Sequence, residues 1–259
     1  MGNPNGGQLT FAALDAATKE ISLPDILSVQ ATFLASPSSE ADSELVMRPL
    51  TESKTQASCA VSYQQDGRPM VEFVFVFGDM EKNNIRGGFS YPASSAHVSA
   101  PDTDPNDPRL VNYSKVLDEK MGNVLFIAKH HKFLVDPDDQ SCTVYQKHAT
   151  GESTEESRLS GWGGFADDKP LTLPDLAFLM DAFPPPILSQ QPTSWVPTIS
   201  YNVNFFSKPK NLTLAKMDFQ TRVATSGVIN CDGMAWDADG NILATSRQMA
   251  RVWDPQAGK

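Results

Sequence analysis

Few residues in this chain stand in a pattern that announces chemistry. No Gly-x-Ser-x-Gly elbow is present to present a serine nucleophile. The histidines are His97, His130, His131 and His148, and none has a metal-ligand spacing. His130 and His131 on a strand would point to opposite faces. The three cysteines, Cys59, Cys142 and Cys231, are too far apart for a metal motif, and so sparse a set fits a reducing compartment. Gly161-Trp162-Gly163-Gly164 lacks the spacing of a phosphate-binding glycine loop. No metal or cofactor is therefore expected. What remains is hydrogen-bonding chemistry and carboxylates. Thr172-Leu-Pro-Asp175 has the form of a capping box, with Thr172 as N-cap and an acidic residue three positions on. Capping is the first role of Asp175 on these grounds.

Composition narrows the partners. The net charge is −10 and 40% of the residues are hydrophobic. An acidic surface repels phosphate backbones, so nucleic acid is not expected as a partner. Arg48, Lys54, Lys208, Lys210 and Lys216 are the basic residues available to a smaller anion, although each taken singly reads as a solvated charge. No apolar run reaches the ~18 residues of a membrane span. The opening MGNPNGGQLTFAALDAATKE has neither a basic leader nor a long apolar core, so an intracellular setting, cytoplasmic or peroxisomal, is expected.

The elements that must position any site fall into two sets. In 69–77 (PMVEFVFVF), Val71, Phe73, Phe75 and Phe77 alternate with Glu72, Val74 and Val76, which predicts a strand with one buried face. Asp66-Gly67 before it predicts a hairpin turn to a strand near 55–64. Strands are also predicted near 212–225, 228–236 and 242–253, separated by Ser226-Gly227 and Asp239-Gly240. A helix over about 7–20 would bury Leu9, Ala12, Ala13, Ala16 and Ala17. A second over about 173–183 would bury Leu176, Leu179, Met180 and Phe183, and Pro184-Pro185-Pro186 would stop it. Further strands are expected in 123–135 and 156–165. The Pro- and Asp-rich stretch 92–121 reads as a linker. Trp162, Trp195, Trp236 and Trp253 are assigned to core or interface.

The two sets repeat. Ser28–Pro37 (SVQATFLASP) matches Ser200–Pro209 (SYNVNFFSKP) at an offset of 172, from Pro37 to Pro209. Asp66-Gly67 and Asp239-Gly240 give 173, from Asp66 to Asp239. One helix followed by four antiparallel strands, twice over, predicts an α+β class in which a curved sheet wraps each helix. Joining the two sheets edge to edge would hide apolar strands such as 69–77.

The ordered series Gly6-Gly7-Gln8, LSVQATFLASP and QQDGRP, then DLAFLMDAFPP, PTISYNVNFF and DGNILATSRQ, resembles acyl-CoA thioesterase II, the TesB-like family. The resemblance covers most of the chain and is weakest in the linker. It implies a double hotdog, with an N-terminal hotdog over 1–91, a linker over 92–121 and a C-terminal hotdog over 122–259. It implies hydrolysis of acyl-CoA, and a water-activating triad carried over to Asp175, Thr198 and Gln248. The residues after Thr198, Ile-Ser-Tyr-Asn, depart from the acidic and basic pair common in the family, which bears on substrate preference. Asp175 would draw a proton from water, Thr198 and Gln248 would orient it, and the first turn of the 173–183 helix would stabilise the oxyanion. Without the resemblance, Thr198 is an ordinary strand threonine and Gln248 an ordinary surface glutamine. Two other functions share the fold: a hotdog hydro-lyase, for which neither helix supplies a histidine, and a non-catalytic acyl-thioester-binding protein. A homo-oligomer is compatible with either. The first half has only six residues before Gly7, so its hotdog is expected to lack the strand that precedes the helix. By the repeat, Thr198 maps to Ile26 and Gln248 to Phe75, so one site per chain is expected, in the second half.

Overall fold

The computed structural model describes residues 4–82, 103–121, 129–140, 142–152, 156–190 and 196–252. The first half opens with α1 (Gly6–Glu20), followed by β1 (Asp25–Phe33), β2 (Ser43–Glu52), β3 (Ala57–Gln65) and β4 (Arg68–Gly78). Asn5 starts α1: its Oδ1 accepts the Gly7 N–H at 2.7 Å, and Gln8 Oε1 accepts the Asn5 N–H at 3.0 Å. These bonds satisfy donors that a helix start leaves open. β3 and β4 are joined by Asp66-Gly67, both at positive φ (51° and 70°), the backbone that suits a two-residue hairpin.

After β5 (Val111–Asn112) and α2 (Tyr113–Met121) come β6 (His131–Val135), α3 (Thr143–Thr150) and β7 (Arg158–Phe165). The second copy of the repeat follows: α4 (Leu173–Ala182), β8 (Thr198–Phe205), β9 (Leu214–Thr225), β10 (Val228–Trp236) and β11 (Ile242–Arg251). Phe183 caps α4 in extended conformation, and Pro185 leads into a 3-10 turn, Pro186–Ser189, as the proline run demands.

All eleven described strands form one antiparallel sheet in the order β2-β3-β4-β1-β8-β11-β10-β9-β7-β6-β5. The halves meet where β1 pairs with β8. The register there is self-symmetric: Ser28 faces Asn204, Thr32 faces Ser200, and Gln30 faces Asn202 at the centre. Each pair maps onto its mirror under the 172-residue offset, which makes the repeat a pseudo-twofold. One hydrophobic core runs through both halves, with Leu14, Phe73, Phe75 and Phe77 in the first and Leu176, Leu179, Tyr201 and Val203 in the second.

The sequence pattern placed the elements well but not the whole of them. The stretch taken as a linker ends in β5 and α2, and α3 was not foreseen. Part of the linker, with His97, lies outside the described residues, as do 123–128 of the expected strand 123–135, Trp195 and Trp253. α1 buries Leu9, Ala13 and Ala17 as expected and also Leu14, while Ala12 is exposed and Ala16 half-buried. Trp162 and Trp236 are core residues as expected. β9 is flanked by β7, while its repeat partner β2 is an edge strand among the described residues and almost wholly exposed. Leu45, Val46 and Leu50 stand out from it into solvent.

Candidate active site

Gln248 on β11 carries the polar centre of the second half. Its Nε2 donates to Thr198 Oγ1 at 2.6 Å and to Asp181 Oδ1 at 2.6 Å. Thr198 opens β8, and Gln248 lies across from Tyr201 on the neighbouring strand. Asp181 comes from the last turn of α4. The strand alternation explains the placement: Tyr201 faces the helix, so its partner Gln248 faces it too, while Arg247 and Met249 face away. One amide thus joins the sheet to the end of the helix it wraps.

Asp181 is crowded by protein and keeps a small accessible window. Burial raises its carboxyl to about 7, and the backbone N–H of Gly7 acts in the opposite direction. Gly7 belongs to the first half. A side chain at Gly6 would meet Asp181 Oδ2 at 2.8 Å and the ring of Phe33 at 2.9 Å, and one at Gly7 would meet the Phe178 carbonyl at 2.7 Å. The two glycines therefore let the positive end of α1 come up against the carboxylate on α4. The site is built by both halves.

Of the three residues singled out by sequence, Thr198 and Gln248 come together and Asp175 does not join them. Asp175 Oδ2 accepts from the Thr172 backbone N–H (2.9 Å) and hydroxyl (2.6 Å), and Oδ1 pairs with Lys169 Nζ at 2.7 Å. It is the capping-box residue that its spacing suggested. Six residues separate it from Asp181, about 9 Å along a helix axis. The first turn of α4 lies at the opposite end of the helix from Asp181, away from the polar cluster; the helix start that borders the cluster is that of α1. The signal for Asp181 was present in the sequence. It is the one ionisable residue between Leu176 and Phe183, in a segment otherwise apolar and buried throughout.

Three other marked residues, His131, Lys208 and Lys216, have structural partners. His131 is buried against Phe183, with ring centroids 4.9 Å apart, and its Nδ1 lies 3.0 Å from Ser114 Oγ; burial lowers its pKa to about 4. Lys208 pairs with the buried Asp25 at 2.8 Å, and Lys216 lies over the Trp162 ring at 5.3 Å. A cavity of about 360 Å3 opens on the opposite face of the sheet, lined in part by Asn202, Asp232, Met234 and Arg247. Its Arg247 and Asp232 already pair at 2.8 Å. Strand alternation puts Gln248 on the other side, so this cavity is separate from the polar cluster.

Two sequence models match the chain. One describes the acyl-CoA thioesterase N-terminal domain and covers residues 1–78; the other describes the acyl-CoA thioesterase C-terminal domain and covers 128–252. The chain belongs to the acyl-CoA thioesterase family. The fold agrees. A thioesterase II candidate of Thermobifida fusca YX is 20% identical with a TM-score of 0.76, over 98% of this chain and 88% of that chain. A hot dog fold protein of unknown function from Alicyclobacillus acidocaldarius is 19% identical with a TM-score of 0.73, over 98% and 88%. The acyl-CoA thioesterase II TesB2 of Mycobacterium marinum is 14% identical with a TM-score of 0.67, over 97% and 90%. At these identities the structures speak for the double hotdog alone. No curated protein matches the chain by sequence. Family and fold together make this acyl-CoA thioesterase a thioester hydrolase. No described helix is long and apolar enough to cross a membrane.

Proposed function

We propose that this thioesterase hydrolyses acyl-CoA with a water activated by Asp181, Thr198 and Gln248, Asp181 taking the place first given to Asp175. The observation that carries it is the Gln248 amide bound at once to Asp181 and Thr198, both at 2.6 Å. With both N–H groups so engaged, the Gln248 Oε1 is left as an acceptor for a water proton, and Thr198, accepting from the amide, turns its own hydroxyl proton outward. A water held by these groups has its oxygen fixed beside the Asp181 carboxylate. The raised pKa suits that role: a carboxylate near 7 is a far better proton acceptor than an ordinary one, and it still ionises near neutral pH. The attacked carbonyl would develop its negative charge toward the start of α1, where the helix dipole is positive. Collapse of the tetrahedral species expels the CoA thiolate, and the proton taken by Asp181 is available to it.

Hydro-lyase chemistry wants a histidine beside the acid, and the buried His131 bonds to Ser114 and packs on Phe183 instead. Free thiol released from a panel of acyl-CoAs of increasing chain length tests the proposal. Thiol release that disappears in Gln248→Ala and is reduced in Thr198→Val is the expected result. Acyl-CoA bound by the parent protein without any thiol release would replace hydrolysis by a binding function.

A further inference from the structure

Tyr201 lies between the sheet and the helix at the proposed site. It is buried, with 2% of its surface exposed, and it faces Gln248 directly across the β8–β11 ladder. Its hydroxyl donates to the Ala177 carbonyl at 2.8 Å. In an α-helix the Ala177 carbonyl is also the acceptor of the Asp181 N–H, four residues on. One carbonyl thus holds both the backbone of Asp181 and the strand neighbour of Gln248. The Asp181 side chain is bonded by Gln248 and faces the Gly7 N–H, while the backbone of this last turn meets β8 through the Tyr201 hydroxyl. The last turn ends at a proline run, so nothing helical continues beyond it to hold the carboxylate in place.

We infer that Tyr201 is a positioning residue that locks the last turn of α4 to β8 and so sets the separation of Asp181 from Gln248 and Thr198. The inference rests on the site proposed above. Tyr201 does not touch the reacting atoms; its ring seals the inner side of the cluster, and its hydroxyl fixes the angle at which Asp181 leaves the helix. Burial, and after it the Asp181 carboxylate, pushes the Tyr201 phenol well above its ordinary range. The ionisable groups facing Asp181 are Tyr201 from β8 and Cys231 from β10, with the Gly7 N–H facing it from α1.

Tyr201→Phe keeps the ring and removes the lock. A carboxylate freed to drift by a fraction of an ångström should lower kcat about tenfold or more while KM changes little. Water should then reach Asp181, and the acid limb of the rate profile should move to lower pH. A p-aminophenylalanine at 201, which retains a donor at the same place, should restore most of kcat. Val203→Ala, a cavity on the same strand and outside the site, provides the control for lost stability. The inference is overturned if Tyr201→Phe keeps the parental kcat and acid limb, or if Val203→Ala lowers kcat equally at equal loss of Tm. Failure of the site itself is read separately, as parental thiol release in Gln248→Ala.

Discussion

The two halves hold the same backbone and opposite chemistry. Val29 faces Phe75 in the first as Tyr201 faces Gln248 in the second, and Ile26 faces Phe77 as Thr198 faces Ala250. The register therefore confirms the equivalences read from the repeat. Where the second half has an amide between a hydroxyl and a carboxylate, the first has Phe75 in ring contact with both Phe73 and Phe77, all fully buried. A site needs polar groups whose partners are themselves placed; an aromatic stack needs only volume. Duplication supplied the frame, and a few side chains set the chemistry of each half apart. The first half still contributes through the start of α1, which abuts Asp181. It is a support for the site in its partner half.

The sharpest way to break the comparison is to make the half proposed to hold the site like the other. Gln248→Ala removes the bridge and should lower kcat about 10²–10⁴-fold, the scale of a general-base system, with the fold retained by circular dichroism. The reverse exchange should gain nothing. Phe75→Gln places an unpartnered amide in an apolar core and should cost about 3–5 kcal/mol by urea unfolding, the scale of a large core truncation, with no second site seen in active-site titration.

A gentler probe is pH. With the Asp181 carboxyl near 7, kcat/KM should rise as pH passes through about 7, since the base must be ionised. Stability should run the other way. The folded pKa lies above the unfolded one, so the folded protein holds the proton more tightly. That stabilisation is complete below the ordinary carboxylate range and is lost as pH rises through about 7. Asp181→Asn should therefore melt at or above the parent at pH 8, with the advantage fading by pH 5.

The smallest expected change is Asp175→Asn. Asn caps nearly as well as Asp, so only the ion pair with the partly exposed Lys169 is lost. About 1 kcal/mol of stability and near-parental thiol release are expected, measured on the same preparation.

Much of this was legible in the residues. The alternation in PMVEFVFVF gave β4 and its buried face, and the offset between Pro37 and Pro209 gave the pseudo-symmetry that the β1–β8 register displays. Thr198 and Gln248 were recognisable through the family resemblance; Gln248 shares the face of Tyr201 by pairing with it, and Thr198 reaches that face through the register shift between Met249 and Ala250. That Asp181, the proposed base, was passed over has a physical reason. DLAFLMDAF contains two aspartates, and helix periodicity does not say which end of a buried helix meets a particular strand. The capping spacing already accounted for Asp175. The remaining carboxylate, alone in an apolar run, had no local partner to satisfy it and so had to find one across the fold. The α2 and α3 segments were missed because they are short and more polar on average than α1 and α4.

The central claim is that Asp181, held by Gln248 and the start of α1, is the base that activates water. Steady-state thiol release by Asp181→Asn, measured beside Asp175→Asn at pH 8, tests it most directly. A loss of about 10²-fold or more in Asp181→Asn, with Asp175→Asn close to the parent, is the predicted result. Parental turnover in Asp181→Asn together with a collapse in Asp175→Asn would contradict it.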